Sequence, residues 1–528
     1  MISIQRLSQV LLLVLIVPTM FLIVPTTAWC DEPAVPSHIQ FARRVDELLE
    51  QRLKEAGVSP APVADDSEFF RRIHLDLQGT IPRVGEVRAF LNDSQTDKRQ
   101  QLIDELLASP RHATHLANTW RQFMLPGNVD LEDIQSVAGV QNWLRRSFAQ
   151  NLRYDRVVSD FLVATGGGDS GPALYYTSQE LKPEKLGAST ARIFLGLHLE
   201  CAQCHKHPFD KWSQEDFWGY AAFFAQLEQQ GAMGPRTMVQ LVDKSEGDVK
   251  LPDSETVVPP QYPDGKKPNV EQGGSRRVQL AIWMASRDNP YLARAVVNRV
   301  WAHLFGRGLV EPVDDISDQN PASHPELFRE LTEYFVRSGF DLRELFRTLA
   351  STNAYQCTSR TAADRSTPPE LFASMAIKTL TAEQLYDCLD RALMQQTDSG
   401  PAFLPAARGL FDPRRLAFAA QMQMRGQNAT EYEAGVLQAL TLLNGNQTDA
   451  ASNLEQSALL AGIDTPLFDD DERVETLFLA TLNRIPTDAE RSKFTQYVQA
   501  GGVVKDSREA LSDVLWALLN CAEFSLNH

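Results

Sequence analysis

Cysteine is scarce in this chain, with six among 528 residues. That number excludes a small disulfide-built scaffold, in which bridges stand in for a core. Positive charge is also in short supply. Lys and Arg total 51 against 68 Asp and Glu, giving a formal net charge of −17, which disfavours nucleic acid or any other polyanion as a partner. Beyond residue 30 no stretch is long and apolar enough to read as a membrane span. Several catalytic signatures are missing too. No Gly-Lys-Ser or Gly-Lys-Thr follows the Gly-rich "ATGGGDSGPA" from Ala164, so that stretch reads as a flexible loop rather than a phosphate cradle. Neither a Gly-x-Ser-x-Gly elbow nor a zinc-protease helix motif occurs.

What is present describes a globular protein: 43% hydrophobic and 23% charged residues, with room for about two or three cored domains. The first 30 residues read as a secretory signal peptide. Arg6 is their only charge, "VLLLVLIVPTMFLIVP" from Val10 supplies the apolar run, and Ala28 and Cys30 stand at the small-residue positions of a cut before Asp31. An uncleaved anchor and a lipid-modified Cys30 are the other readings of the same stretch. Export to the periplasm or cell surface is the expectation, leaving a mature chain with no transmembrane span and an excess of 18 negative charges.

Helical periodicity dominates the remainder, and a mainly α fold is expected. "SHIQFARRVDELLEQRLKEAG" has Ser37 as N-cap, Phe41, Val45, Leu48, Leu49 and Leu53 at helical spacing, and Gly57 as a stop. A second strong stripe, Ala293, Val296, Val297, Val300, Trp301 and Leu304, follows Asn289 as cap and Pro290 as first helical residue, and ends at Gly306. Capping boxes are expected at Ser323 with Glu326 and at Asp341 with Glu344. Between Glu228 and Gly274 the periodicity fails, and "VVPPQYPDGKKPNVEQGG" is rich in Pro and Gly. The expected organisation is therefore a signal peptide (1–30), an N-terminal helix and linker (31–66), a first helical domain (67–227), an irregular linker (228–285) and a second helical domain (286–528). "MVQLVDKSEGDVKL" is the place for one short β-hairpin, turning at Glu246 and Gly247.

Two segments far apart resemble each other. "IHLDLQGTIPRVGEVRAFL" from Ile73 aligns with "LFLATLNRIPTDAERSKFT" from Leu477, matching Leu75 to Leu479, Ile81–Pro82 to Ile485–Pro486, Glu86 to Glu490 and Phe90 to Phe494. Each reads as helix, Ile-Pro turn, helix, followed by a third apolar helix with Asp104 or Asp513 near its start.

The densest chemistry lies in "LHLECAQCHKHPFDKW", where Cys201, Cys204, His205 and His207 fall within seven residues. In Cys-x-x-Cys-His two thiols one helical turn apart can add to the vinyl groups of a haem, and the adjoining imidazole can bind its iron. Export fits this chemistry, because c-type attachment takes place outside the cytoplasm. Cys201, Cys204, His207 and Asp210 could instead close a zinc or iron site. A redox disulfide and a structural disulfide with exposed histidines are the further readings. A haem would need a slot bordered by residues such as Phe194, Phe209 and Trp212. For a second axial ligand the sequence offers His198, along the same face if the helix continues, and, remotely, His112, His115 and Met124. The aspartates of "VDDISDQN", Asp314, Asp315 and Asp318, with Asn320, supply oxygen ligands but lack the glycine and distal glutamate of an EF-hand, so they read as a solvated loop.

Four stretches together, "FFRRIHLDLQGTIPRVGEVRAFL", "FLGLHLECAQCHKHPFDKWSQEDFWGYAAFFA", "NPYLARAVVNRVWAHLFGRGLVEPVDDISDQNPASHPELF" and "LLNCAEFSLNH", carry a resemblance that covers nearly the whole mature chain. The chain is similar to large secreted proteins of planctomycetes and related bacteria, built from two tandem domains of unknown function and described as planctomycete cytochrome-like. The resemblance implies that the first domain ends with the cysteine segment and that the second begins near Asn289. Many relatives carry a separate small cytochrome c domain at the N-terminus, and nothing between Asp31 and Ser67 corresponds to it. "MRGQNATEYEAGVLQALTLLNG" matches a family region that often holds a cysteine, absent here, so no thiol role carries over to it. The functional expectation is an exported c-type-cytochrome-like protein passing electrons to a redox partner through haem on Cys201, Cys204 and His205. Its rival is a non-redox periplasmic or surface scaffold that binds a protein or polysaccharide-associated partner and uses the same segment structurally.

Overall fold

The computed structural model describes residues 35–125, 134–166, 171–208, 210–230, 240–269, 273–360, 367–393, 413–422 and 457–528. Residues 1–30, read above as a signal peptide, Phe209 and the 424–445 stretch lie outside the described residues. Pro36–His528 is one compact unit, and it is mainly α, with short two-stranded ladders as its only sheets among the described residues.

The first helix, His38–Glu55, forms for the reasons its sequence contains. Ser37 and Gln40 make a reciprocal capping box, Arg52 and Lys54 face the negative end of the helix dipole, and Phe41, Val45, Leu48, Leu49 and Leu53 are all buried. Leu292–Phe305 likewise follows its pattern: Asn289 Oδ1 accepts from the amides of Tyr291 and Leu292 (both 2.9 Å), and Gly306 ends the helix in the left-handed region. The helix begins two residues after Pro290 rather than on it. Asp341 caps Leu342–Ala350 through the Glu344 amide. The box expected at Ser323 does not form. Ser323 Oγ turns to the Leu309 carbonyl (3.2 Å), so His324 stands at the cap position and Pro325 opens the helix.

The two similar segments are two copies of a three-helix unit. Asp66–Gln78, Val84–Asn92 and Lys98–Ala108 form the first, and Asp470–Thr481, Asp488–Gln499 and Ser507–Leu519 the second. Equivalent aspartates, Asp65 and Asp469, cap the first helix of each through the Glu68 and Glu472 amides (2.9 and 2.8 Å). Equivalent residues, Gly79 (φ 71°) and Asn483 (φ 59°), take the left-handed turn before the Ile-Pro pair. Asp104 and Asp513 fall mid-helix rather than near the start, where they bond Arg347 Nε (2.7 Å) and the Tyr497 hydroxyl (2.6 Å). The copies also touch: the fully buried Arg71 guanidinium donates to the Thr481 carbonyl (3.0 Å), Asn483 Oδ1 (2.7 Å) and the Phe524 carbonyl (2.8 Å). Their turns differ in cover. Thr80 and Arg391 bond across to the Ala382–Ala392 helix and Ile81 respectively, leaving Ile81 fully buried, whereas Ile485 is 49% exposed.

The core does not divide where the periodicity fails. A single apolar cluster runs from Phe41 through Phe194 and Trp212 to Val300, Trp301 and Phe346, so the 67–227 and 286–528 segments share it. The intervening segment is tied in rather than loose. Arg277, 1% exposed, donates to both carboxylate oxygens of Asp243 (2.7 and 3.1 Å) and to the Leu162 and Ala164 carbonyls (3.0 and 2.9 Å). The hairpin expected around Glu246–Gly247 is absent as drawn. Gln240–Asp243 pairs back with Leu227–Gln230, and Val249–Lys250 pairs forward with Val257–Val258. Each strand thus finds a partner outside the quoted stretch, because Leu241, Val249 and Val258 all bury their side chains.

One charged hub is buried between the segments. Asp76 accepts from Lys378 Nζ (2.6 Å), Asn527 Nδ2 (2.7 Å) and the Tyr355 hydroxyl (2.8 Å), while Lys378 Nζ also reaches the His303 and Leu304 carbonyls (2.9 and 2.8 Å). With 7% and 4% of the two side chains exposed, desolvation is offset only because each polar atom has partners. Leu526–Asn527 pairs with Lys378–Thr379, which brings the C-terminal residues into the hub.

Candidate functional site: the cysteine turn

The helix Pro183–Thr190 widens into a π turn at Ala191–Leu195 and ends at Gly196 (φ 66°). A side chain at 196 would be strained by that backbone and would stand 2.9 Å from Ile316 Cδ1. The helix therefore does not continue through His198, and the shared face expected for His198 and the cysteines is lost. The chain instead crosses to a single 3-10 turn, Glu200–Ala202, closed by Ala202 N–H to the Leu199 carbonyl and Gln203 N–H to the Glu200 carbonyl (2.9 and 3.1 Å).

This turn separates its side chains by polarity. Ala202 is fully buried, while Cys201 and Cys204 are exposed free thiols and His205 is exposed. Nδ1 of His205 lies 2.8 Å from the Lys206 carbonyl. A carbonyl can only accept, so Nδ1 carries a proton and, in the neutral ring, Nε2 has the lone pair. Beyond it the chain folds back through His207 N–H to the Trp212 carbonyl (2.9 Å), and Lys211 lies over the Trp212 ring, 5.1 Å from its centroid, while pairing with Asp318 at 3.5 Å. Ser213 and Asp216 then make a capping box that starts the helix Gln214–Ala221.

Two supports hold the turn. On its C-terminal side, Gln214 Nε2 donates to the Gln203 and Cys204 carbonyls (3.2 and 3.1 Å), and Trp218 Nε1 donates to the Gln203 carbonyl (3.0 Å). On its N-terminal side stands the loop after Leu292–Phe305. Ile316 N–H donates to the Gly196 carbonyl (2.8 Å), and Asp314 binds His198 Nε2 (3.1 Å) and Arg192 Nη1 (3.0 Å). The hydrogen bond to Asp314 holds the His198 imidazolium, raising its pKa despite partial burial. Burial opposes ionisation of Asp314, but the bonds from His198 and Arg192 prevail and hold it well below the usual carboxylate range. The "VDDISDQN" loop is thus not merely solvated. Asn320 braces it through the Glu311 and Asp315 carbonyls (3.2 and 2.8 Å), and Asp314 reaches back to the first segment.

The residues expected to wall a haem are distributed differently. Phe194 and Trp212, 2% and 3% exposed, are part of the shared core, with Phe194 packed edge-on against Phe161 (5.2 Å). The indole Nε1 of Trp212 is nonetheless buried without an acceptor. The remote ligand candidates sit elsewhere: His112 Nδ1 bonds the Leu77 carbonyl (2.9 Å), His115 faces His303 (ring centroids 5.5 Å), and Met124 is buried in the core. His198 is engaged by Asp314. Among the described residues, no three His, Cys, Asp or Glu side chains stand together as a metal set, so Cys201, Cys204, His207 and Asp210 do not converge. The attachment groups for a haem, two exposed thiols and an imidazole with a free Nε2, do fit the group chemically.

Sequence reasoning found the turn but not its supports. Asp314 lies 116 residues from His198 and 122 from Arg192, and no local pattern encodes that pairing. Gln214 and Trp218 carried a signal of sorts, since they stand four apart at the start of a capped helix and therefore share a face.

No curated protein and no solved structure matches the chain. Family models do. Residues 44–229 match PSCyt2, protein of unknown function (DUF1549), and residues 276–408 match PSD1, protein of unknown function (DUF1553). The cysteine turn falls within the first match and its support at Asp314 and Ile316 within the second, so the chain carries a DUF1549 domain and a DUF1553 domain in tandem, packed on one core.

Proposed function

We propose that the chain is an exported, cytochrome-like protein of the planctomycete type that attaches one c-type haem through Cys201 and Cys204, ligates its iron with His205, and passes electrons to a redox partner. The observation that carries this reading is the presentation of the turn. Both thiols and the imidazole face solvent on a backbone supported from two sides, and the Nδ1 bond to Lys206 leaves Nε2 for a metal. Each thiol would add its S–H across a vinyl group, forming one S–C and one C–H bond with no leaving group. The bound haem would supply the one-electron couple. His205 would ligate the iron through Nε2. Zinc or iron on Cys201, Cys204, His207 and Asp210 is a weaker reading, since those side chains do not converge.

The burial of Phe194 and Trp212 favours one rival, a periplasmic or surface scaffold in which the turn is structural. A haem stain and optical spectrum of protein made with a cytochrome c maturation system separate the two. Covalent haem in the wild type, lost in Cys201→Ala or Cys204→Ala and spectrally altered in His205→Ala, supports attachment. A mass spectrum showing both thiols unmodified or disulfide-bonded after maturation with haem rejects it. One equivalent of zinc lost on His207→Ala would establish the non-haem metal reading.

A further inference from the structure

A 3-10 turn of three residues cannot hold its own shape: its last carbonyls have no partners within it. The carbonyls that follow it, those of Gln203, the second of the two residues between the thiols, and of Cys204 itself, are held from outside the turn. Three side-chain bonds reach them from one face of the following helix, two from Gln214 Nε2 (3.2 and 3.1 Å) and one from Trp218 Nε1 (3.0 Å). The Ser213–Asp216 capping box fixes where that helix begins, and the four-residue spacing puts both donors on the side of the turn. Gln214 is the first residue of the helix, so its amide spans the corner between helix and turn.

We infer that Gln214 and Trp218 are positioning residues, which hold the Cys204 end of the turn so that both thiols are presented in one fixed arrangement. The inference rests on the reading of this turn as the chemical site, but its geometry is independent of what binds there. Its chemistry is specific: both acceptors are carbonyl oxygens, so only a donor at position 214 can serve. A glutamate has nearly the same shape and would set a carboxylate against two carbonyls. A lysine has similar reach and retains N–H donors.

The test uses the full mature chain made without haem, by hydrogen–deuterium exchange of peptides covering Glu200–His207. Gln214→Ala and Gln214→Glu should each raise exchange there about fivefold, the local opening expected from losing one net hydrogen bond, while Gln214→Lys stays near wild type. Trp218→Phe, which keeps a ring and removes the donor, should act in the same direction. Gln226→Ala, whose amide bonds the Ser245 carbonyl in another loop, should leave the turn unmoved. Exchange unchanged in Gln214→Glu and Trp218→Phe overturns the inference. So does equal loosening in Gln214→Lys and Gln214→Glu, which would mean that shape rather than donation matters. A negative haem stain in the wild type alongside the expected exchange pattern would sink the haem reading alone. A positive stain with unmoved exchange would sink the positioning role alone.

Discussion

Lowering the pH from 7.5 to 5 should cost this protein several kcal/mol through histidines that fold has buried in the neutral state. His74 and His112 are each 4% exposed. Each already uses one ring nitrogen: Nδ1 donates to the Phe70 carbonyl at 2.8 Å in one and to the Leu77 carbonyl at 2.9 Å in the other. A second proton would place a charge and a new donor among apolar neighbours, Phe70 at 4.4 Å from His74 and Phe346 at 5.5 Å from His112. Burial accordingly pushes both from 6.5 down to about 4, against the smaller upward effect of the carbonyl bonds. With the folded value depressed, the contribution to stability is complete above the unfolded value of 6.5 and is lost as pH falls toward 4. At pH 5 the unfolded chain binds nearly one more proton per site, which amounts to about 2 kcal/mol for each histidine and about 4 kcal/mol for the pair. Domain stabilities of about 5–15 kcal/mol make that a large fraction. His324, also lowered to about 4 by burial, acts in the same direction. Urea unfolding of the protein at pH 7.5 and 5, beside a His74→Gln, His112→Gln double variant, isolates the effect from carboxylate titration. Glutamine can keep the donor to each carbonyl and cannot titrate. The double variant should be less stable at pH 7.5 yet lose about 4 kcal/mol less between the two pH values. Equal losses in both proteins would refute the reasoning.

Three further outcomes follow from named contacts. Lys378→Met leaves Asp76 charged and buried without its cation, and should cost about 3–5 kcal/mol in denaturant unfolding. Gly79→Ala places a methyl 2.3 Å from His115 Nδ1 on a backbone with φ of 71°, so a loss of at least about 1 kcal/mol and a lower thermal midpoint are expected, whereas Gly57→Ala, with no atom within 4 Å, should cost only the strain of its own φ of 68°. His198, whose folded pKa is raised, holds Asp314 most firmly when protonated. Its contribution is complete below the unfolded value of 6.5 and is lost as pH rises through the raised one, so exchange in residues 197–204 should quicken across that rise and lose the dependence in His198→Gln.

What the sequence could show was set by which interactions are local. Caps act over three residues, and Ser37, Asn289 and Asp341 were all readable. The repeat was readable because both copies must solve the same turn, with a left-handed residue ahead of Ile-Pro. Ser323 misled for a physical reason: its hydroxyl had a better acceptor at Leu309, fourteen residues back, than the helix it precedes. The strands around 240–258 misled because register follows burial of Leu241, Val249 and Val258, which depends on neighbours no local alternation reveals.

The cysteine turn shows the same division at a single site. Motif spacing located Cys201, Cys204 and His205, and a short turn with one small buried residue, Ala202, necessarily leaves the residues on either side of it outward. The aromatic residues beside it could wall a cofactor or fill a core, and side chains of that size more often fill a core. In the fold they are worth more as core: an aromatic side chain buries about 150–250 Å², and Phe194 and Trp212 spend nearly all of it against the shared cluster. That same burial ties the two domains together beneath the turn, so the aspartate that reaches His198 comes from the second domain. A DUF1549 domain separated from its DUF1553 neighbour would therefore lose the N-terminal support of its cysteine turn along with the core residues that the second segment contributes, so the turn is held from both sides where the two stand in tandem.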